Sequence, residues 1–249
     1  MLEILYHDAY LVAINKPSGL LVHRSPIDRH EMRFAIQLTR DQIGQRVYPV
    51  HRLDKPTSGV LLFALDSDTA RRMTEQFTHG QVQKTYLAVV RGYTPRDGII
   101  DYALQEQLDA RADADADPDK PAQAAITHYQ CLATTELPFA VGRYPSTRYS
   151  LVALQPKTGR KHQLRRHLKH IFHPIVGDTT HGDGKHNAFF RQQFACQRLL
   201  LHAQQLRFTH PYNATQLLNL TAAVPSDMQP LLRELFPLFQ TYPNLLIAN

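Results

Sequence analysis

The sequence predicts a fold of mixed α and β structure, α/β in the α+β sense. Three observations lead there: strand-like segments outnumber helical ones, their order lacks the regular strand-helix alternation of a parallel sheet, and 249 residues can bury one sizeable core. Two lobes could share that length, but a single domain over 1–249 is the simpler expectation.

Residues 3–6 and 11–15 are β-prone runs around His7-Asp8-Ala9, predicting a hairpin or two neighbouring strands. Pro17 and Gly19 then punctuate the chain. Residues 33–44 carry Phe34, Ile36, Leu38 and Ile43 ahead of Gly44, a helix with a glycine cap. After a loop, the apolar run 60–65 reads as a buried strand. Asp66 or Ser67 can cap a helix with Ala70, Met73 and Phe77 on one face, ended by Gly80. A strand over 84–91 follows.

Between 104 and 125 the composition turns to alanine and aspartate, with little to bury, predicting a flexible, solvated acidic loop. Such a loop could also screen a basic binding surface or bind metal weakly. Residues 126–132 and 149–154 read as strands. Residues 161–171 read as a helix with Leu164, Leu168 and Ile171 inward and a strongly basic opposite face. Ser226 can cap a terminal helix whose Pro230 falls in the first turn.

The formal charge is +6, and its distribution says more than its size. From 142 to 177 there is no acidic residue, while eight Lys and Arg side chains are joined by four histidines. Such an imbalance predicts an anionic partner. Cys131 and Cys196 are the only cysteines, too far apart in sequence for a zinc knuckle or disulfide framework, and are expected to be buried thiols. The amino-terminal residues lack a charged-then-apolar leader, and no apolar stretch approaches the ~20 residues that span a bilayer. A cytoplasmic protein without membrane contact is expected.

The segment His51-Arg52-Leu53-Asp54-Lys55-Pro56-Thr57-Ser58-Gly59 sets one carboxylate beside two cations at the mouth of a buried strand. Pro56 drives Lys55 out of helical geometry, so Asp54 belongs on a loop, where catalytic groups are common. By residue chemistry alone Asp54 reads equally as a turn aspartate capping its own backbone. In the same way Arg165 alone reads as a surface or phosphate-binding arginine, and Tyr86 as a core residue of a strand.

This segment resembles the signature of the RluA family, the large ribosomal and transfer RNA pseudouridine synthases related to the dual-specificity enzyme A. Further matches keep the family's order: Asn15-Lys16-Pro17-Ser18-Gly19, Lys84-Thr85-Tyr86, Thr158 to Arg165, and Leu201-His202-Ala203. The resemblance covers nearly the whole chain. His23-Arg24-Ser25, Arg165-Arg166 and the stretch from His173 to Asp183 are most similar to members that modify position sixty-five of transfer RNA. Lys55 stands where arginine is frequent, and His210-Pro211-Tyr212-Asn213-Ala214 lacks the usual Thr-Gly, which leaves the local turn shape open.

The resemblance implies a mixed, largely antiparallel central sheet flanked by helices, an active cleft across its middle, and no separate amino-terminal RNA-binding domain. It implies Asp54 as the catalytic carboxylate, Arg165 as its partner in a two-pronged bond, and Tyr86 stacking on uracil and assisting proton transfer from carbon five. Arg52 would fill the space left by the extruded base, or else contact phosphate. Arg160, Lys161, His162, Arg166 and Lys169 are the expected RNA-binding residues. No cofactor, metal or obligatory protein partner is implied, and a monomer is expected. A metal hydrolase is the rival enzyme class, because histidines crowd 162–186, but none forms His-Glu-x-x-His. Gly177 and Gly182 have phosphate-loop spacing, yet Asp183 replaces the lysine. Two further readings stay open: a pseudouridine synthase acting on ribosomal RNA, and a noncatalytic RNA-binding protein or RNA chaperone on the same fold.

Overall fold

Strand β4 (Ser58–Ala64) has no exposed residue, and its side chains serve two cores. Val60, Leu62 and Ala64 point into one, Leu61 and Phe63 into the other. A strand buried on both faces reads as a continuous apolar run, as this one does. The computed structural model describes residues 1–24, 31–106 and 121–238.

A ten-stranded sheet organises the molecule, in the order β1-β2-β4-β9-β5-β8-β7-β6, with β3 on β4 and β10 on β9. The strands are β1 (Glu3–His7), β2 (Leu11–Lys16), β3 (Tyr48–Pro49), β4, β5 (Gln83–Arg91), β6 (Asp97–Asp101), β7 (Ile126–Leu137), β8 (Thr147–Pro156), β9 (Leu201–His210) and β10 (Asn213–Thr221). Every pairing is antiparallel except β4 with β9, which share only Ser58 with His202 and Gly59 with Ala203. This parallel junction joins the two halves of the sheet. A Cβ on Gly59, whose φ is 118°, would collide with the Ala203 carbonyl, so glycine is required there. Ser58 and His202 are buried and hydrogen-bonded side chain to side chain at 2.9 Å.

The helices are α1 (Ala35–Ile43), α2 (Ser67–Thr78), α3 (Gln163–His170), α4 (Gly184–Phe194) and α5 (Gln229–Leu235). On one half of the sheet, α2 covers one face with Met73 and Phe77, and α1 the other with Ala35 and Ile43. On the second half, α3 packs Leu164 and Leu168 against β5 and β8, while Phe190 of α4 and Leu231 of α5 cover the reverse face. The capping expectations hold at Asp66, which accepts from Thr69, and at Gly44, with φ 70°. Ser226 does not cap α5; Met228 holds that position, and the Pro225 carbonyl receives the Met228 and Gln229 amides.

Strands β6, β9 and β10 and helix α4 have no counterpart among the elements expected from the sequence. Most of the acidic stretch, 107–120, lies outside the described residues. At its described ends Leu104 and Ala125 are buried, and Leu104 and Gln123 exchange both backbone hydrogen bonds, while Gln105, Glu106, Pro121, Ala122 and Ala124 are exposed. Both cysteines are partly exposed rather than buried, and both are free thiols. The β9–β10 turn, left open by the missing Thr-Gly, closes with Asn213 opposite His210. Among the described residues, no helix is long and apolar enough to cross a membrane.

Candidate active site

Asp54 sits on the turn between β3 and β4, where the Thr57 amide donates to its carbonyl at 3.0 Å. The turn is tied to the segment after β2. The Gly19 amide donates to the Lys55 carbonyl, and the Ser18 hydroxyl to the Pro56 carbonyl. Lys16, fully buried, donates from Nζ to the carbonyls of Pro17, Leu20 and Lys55 at 2.9, 2.7 and 3.1 Å. Burial pulls the Lys16 pKa down to about 7, against the pull of the Asp54 charge. Two motifs far apart in sequence thus hold one carboxylate.

A cleft of about 940 Å³ opens over this turn, lined by Arg52, Asp54, Tyr86, His162 and Arg165 among others. Tyr86 comes from β5, opposite Ala203 and Leu154, beside an irregularity in the β5–β9 register. Burial, then the Asp54 charge, push its hydroxyl pKa up, so it keeps its proton at neutral pH. His51 stacks on Phe77 and accepts the Leu62 amide through Nε2; burial takes its pKa down to about 3, consistent with a neutral ring.

Arg165 is brought to Asp54, but not in the two-pronged bond expected. Only Nη1 reaches Asp54 Oδ2, at 3.2 Å. The fork belongs to Asp178: Nε donates to Oδ2 at 2.7 Å and Nη2 to Oδ1 at 2.8 Å. The reason lies in burial. An almost fully buried guanidinium requires a carboxylate of equal depth, and Asp178 is 2 % exposed. Asp178 Oδ1 also accepts the Thr180 and His181 amides at 2.9 Å. Burial alone would raise its pKa, but Arg165 and these amides hold it below the ordinary carboxylate value. Burial likewise opposes the Arg165 charge, and Asp178 and Asp54 outweigh it. Sequence reasoning missed Asp178; the signal was a lone carboxylate closing a long cationic stretch.

Helix α3 is less basic outside than expected, because Arg165 and His167 turn inward with Gln163, Leu164 and Leu168. His167 bonds the Thr127 hydroxyl and the Tyr102 carbonyl. Arg166 donates to the Gln105 carbonyl at 2.9 Å, and neither it nor Lys169 lines the cleft, whereas Arg52, Arg160 and Lys161 do. His162 lines the cleft on the side of the Asp54 turn. It enters α3 in left-handed backbone, φ 55° and ψ 26°, which costs a non-glycine residue about 1 kcal/mol or more. Its Nδ1 lies 3.0 Å from His181 Nε2, and its Nε2 3.9 Å from Asp54 Oδ2. Of the other histidines of the rival metal reading, His170 stacks on Tyr102, His173 bonds the Arg91 carbonyl and His186 the Tyr149 hydroxyl. Gly177 is glycine because a Cβ would strike the Arg198 carbonyl, a packing requirement unconnected with phosphate.

A carboxylate held by a buried guanidinium, beside a protonated tyrosine in a basic cleft, can carry nucleophilic or proton-abstracting chemistry on a nucleoside. The chain belongs to the RNA pseudouridylate synthase family, whose model matches residues 10–170, and enzymes of this class are isomerases. Its particular likeness is to proteins named tRNA pseudouridine synthase C. That of Vibrio vulnificus is 52 % identical over the full length of both chains. That of Vibrio cholerae is 56 % identical over 94 % of this chain and 96 % of its own. Among solved structures, human RNA pseudouridylate synthase domain containing 4 is 30 % identical, covers 92 % of both chains and superposes with a TM-score of 0.66.

Proposed function

We propose that this pseudouridine synthase acts on transfer RNA, at the uridine in position sixty-five. It works as one catalytic unit, a monomer in the cytoplasm, without cofactor, metal or obligatory protein partner. The observation that carries the reading is the 3.2 Å approach of Arg165 Nη1 to Asp54 Oδ2 inside the cleft. Isomerisation breaks the bond from ribose to base nitrogen, turns the base and joins ribose to carbon five, with no redox change. Asp54 adds to an electrophilic carbon or removes a ribose proton; each route begins with its carboxylate. Arg165 keeps that carboxylate in place. Tyr86 stacks on the uracil of a nucleotide extruded from its helix, and Arg52 takes the vacated space. Arg160 and Lys161 meet phosphates at the rim. The names of the similar bacterial proteins support transfer RNA over ribosomal RNA.

Position-resolved pseudouridine mapping of total RNA from a strain lacking the protein tests this. One transfer RNA site is expected to lose its pseudouridine, to regain it with the wild-type protein, and to stay empty with Asp54→Asn, although that variant still binds tRNA. Loss at a ribosomal site would replace the substrate, and restoration by Asp54→Asn would remove the carboxylate from the chemistry.

A further inference from the structure

Across the floor of the cleft, His162 Nε2 faces Asp54 Oδ2 at 3.9 Å, too far for a hydrogen bond between them. A third atom fits that gap. An oxygen about 2.8 Å from each would see them about 90° apart, an angle that a hydroxyl donating to one and accepting from the other can span. An internal nucleotide of RNA has its 3′ and 5′ oxygens tied up in phosphate esters, so its one free sugar hydroxyl is the 2′. That group sits on the carbon next to the one whose bond to the base is cut. Asp54 works at that bond, so the 2′-hydroxyl arrives at its side.

We propose that His162 is a specificity-determining residue that binds the 2′-hydroxyl of the target uridine against Asp54 Oδ2, and so distinguishes a ribonucleotide from a deoxyribonucleotide; this rests on the pseudouridine synthase reading of the cleft. The 2′-hydroxyl is what separates RNA from DNA at a given site, and it both donates and accepts. Its hydrogen goes to the carboxylate, which can only accept, and His162 Nε2 donates to its oxygen. His162 Nδ1 is then bare and receives the hydrogen of His181 Nε2 at 3.0 Å. Burial lowers the pKa of both imidazoles, consistent with a neutral pair and a single hydrogen between the facing nitrogens. His181 is 6 % exposed and fixed by the turn at 178–182, with its amide on Asp178 Oδ1 and the Gly182 amide on the Asp178 carbonyl. A Cβ on Gly182 would strike that carbonyl, so the turn is closed tightly. Asp178 therefore places the two groups that converge on Asp54, Arg165 through its fork and His162 through His181. The left-handed backbone at His162 is the strain of a residue placed for its side chain. A substrate without the hydroxyl would leave this half-buried pair short of its bond, and is rejected for that reason.

The test is a two-by-two comparison in the full-length protein, on tRNA carrying uridine or 2′-deoxyuridine at the target position. The variant is His162→Gly, since glycine adopts this backbone without strain. His162→Asn, which tolerates the same backbone and is too short to reach the hydroxyl, stands in where the glycine variant fails to fold. Single-turnover rates and tRNA affinities are measured for each pair. Removing the hydroxyl is expected to cost wild type about 5- to 100-fold more than it costs the variant, which has no such bond left to lose. His181→Asn should fall between the two. Where the deoxy substrate is inert with both proteins, the same comparison is made on affinity. A difference below about fivefold overturns the contact and leaves the gap to water. Wild-type protein that leaves uridine unconverted in this tRNA overturns the underlying reading, and the contact with it.

Discussion

Asp178 is the residue on which the chemistry leans without touching it. Its fork fixes the Arg165 guanidinium and leaves one nitrogen, Nη1, for Asp54. Asp178→Asn strips a buried cation of its main counter-charge and should destabilise the fold by about 3 kcal/mol, with a fall in turnover larger than any change in tRNA affinity. The sign of its pH dependence follows from its lowered pKa. Unfolded, the carboxyl titrates near ~3.9, and folded it titrates lower. The stabilisation is present above that range and is lost as pH falls through the folded pKa. Urea unfolding should show the gap between wild type and Asp178→Asn closing in acid; a gap constant from neutral pH down to the acid transition would contradict the assignment.

At the scale of elements, the decisive contact is between the segment after β2 and the turn before β4. Lys16 joins them by three hydrogen bonds to carbonyls, and Lys16→Met leaves those of Pro17 and Leu20 without its bonds. The expected cost is about 2 kcal/mol or more, together with slower turnover as the Asp54 turn loosens. Wild-type stability should also rise with pH where Lys16→Met stays flat. The unfolded lysine holds its proton to about 10.4, the folded one only to about 7, so the unfolded state binds more protons between those values. Denaturant midpoints from pH 6 to 10 check both slopes. Elements with a local signature were legible in the sequence: the Asp66 cap, the Gly44 terminus and the doubly buried run of β4. Strands β6 and β10 were not; the first four positions of β10 are polar or alanine, and its pattern is set by lying beside β9. Helix α4 is capped by Asp183, which reads as a loop residue until its side chain is seen accepting the Lys185 amide.

In the whole molecule, the active cleft lies where the two halves of the sheet meet, with Asp54 from one half and Tyr86 and Arg165 from the other. The electrostatics are asymmetric too, since Arg52 lines this cleft and Lys169 does not. Arg52→Ala should weaken tRNA binding and flatten the dependence of log affinity on log salt by about 0.7–0.9 if it neutralises one phosphate. Lys169→Ala should leave that slope nearly unchanged. Filter binding over a salt series decides between them, and equal effects would mean that the anion path extends well beyond the cleft.

By itself the sequence determined the family, the candidate carboxylate and the order of most elements, since motifs, caps and apolar periodicity act between residues close along the chain. Only the tertiary structure decided how charges and hydrogen bonds are shared: that the Arg165 fork belongs to Asp178, that Lys16 grips the Asp54 turn, and that His162 leans on His181. Partner choice depends on burial and on distances of a few ångström between segments remote in sequence, and neither quantity exists until the chain has folded.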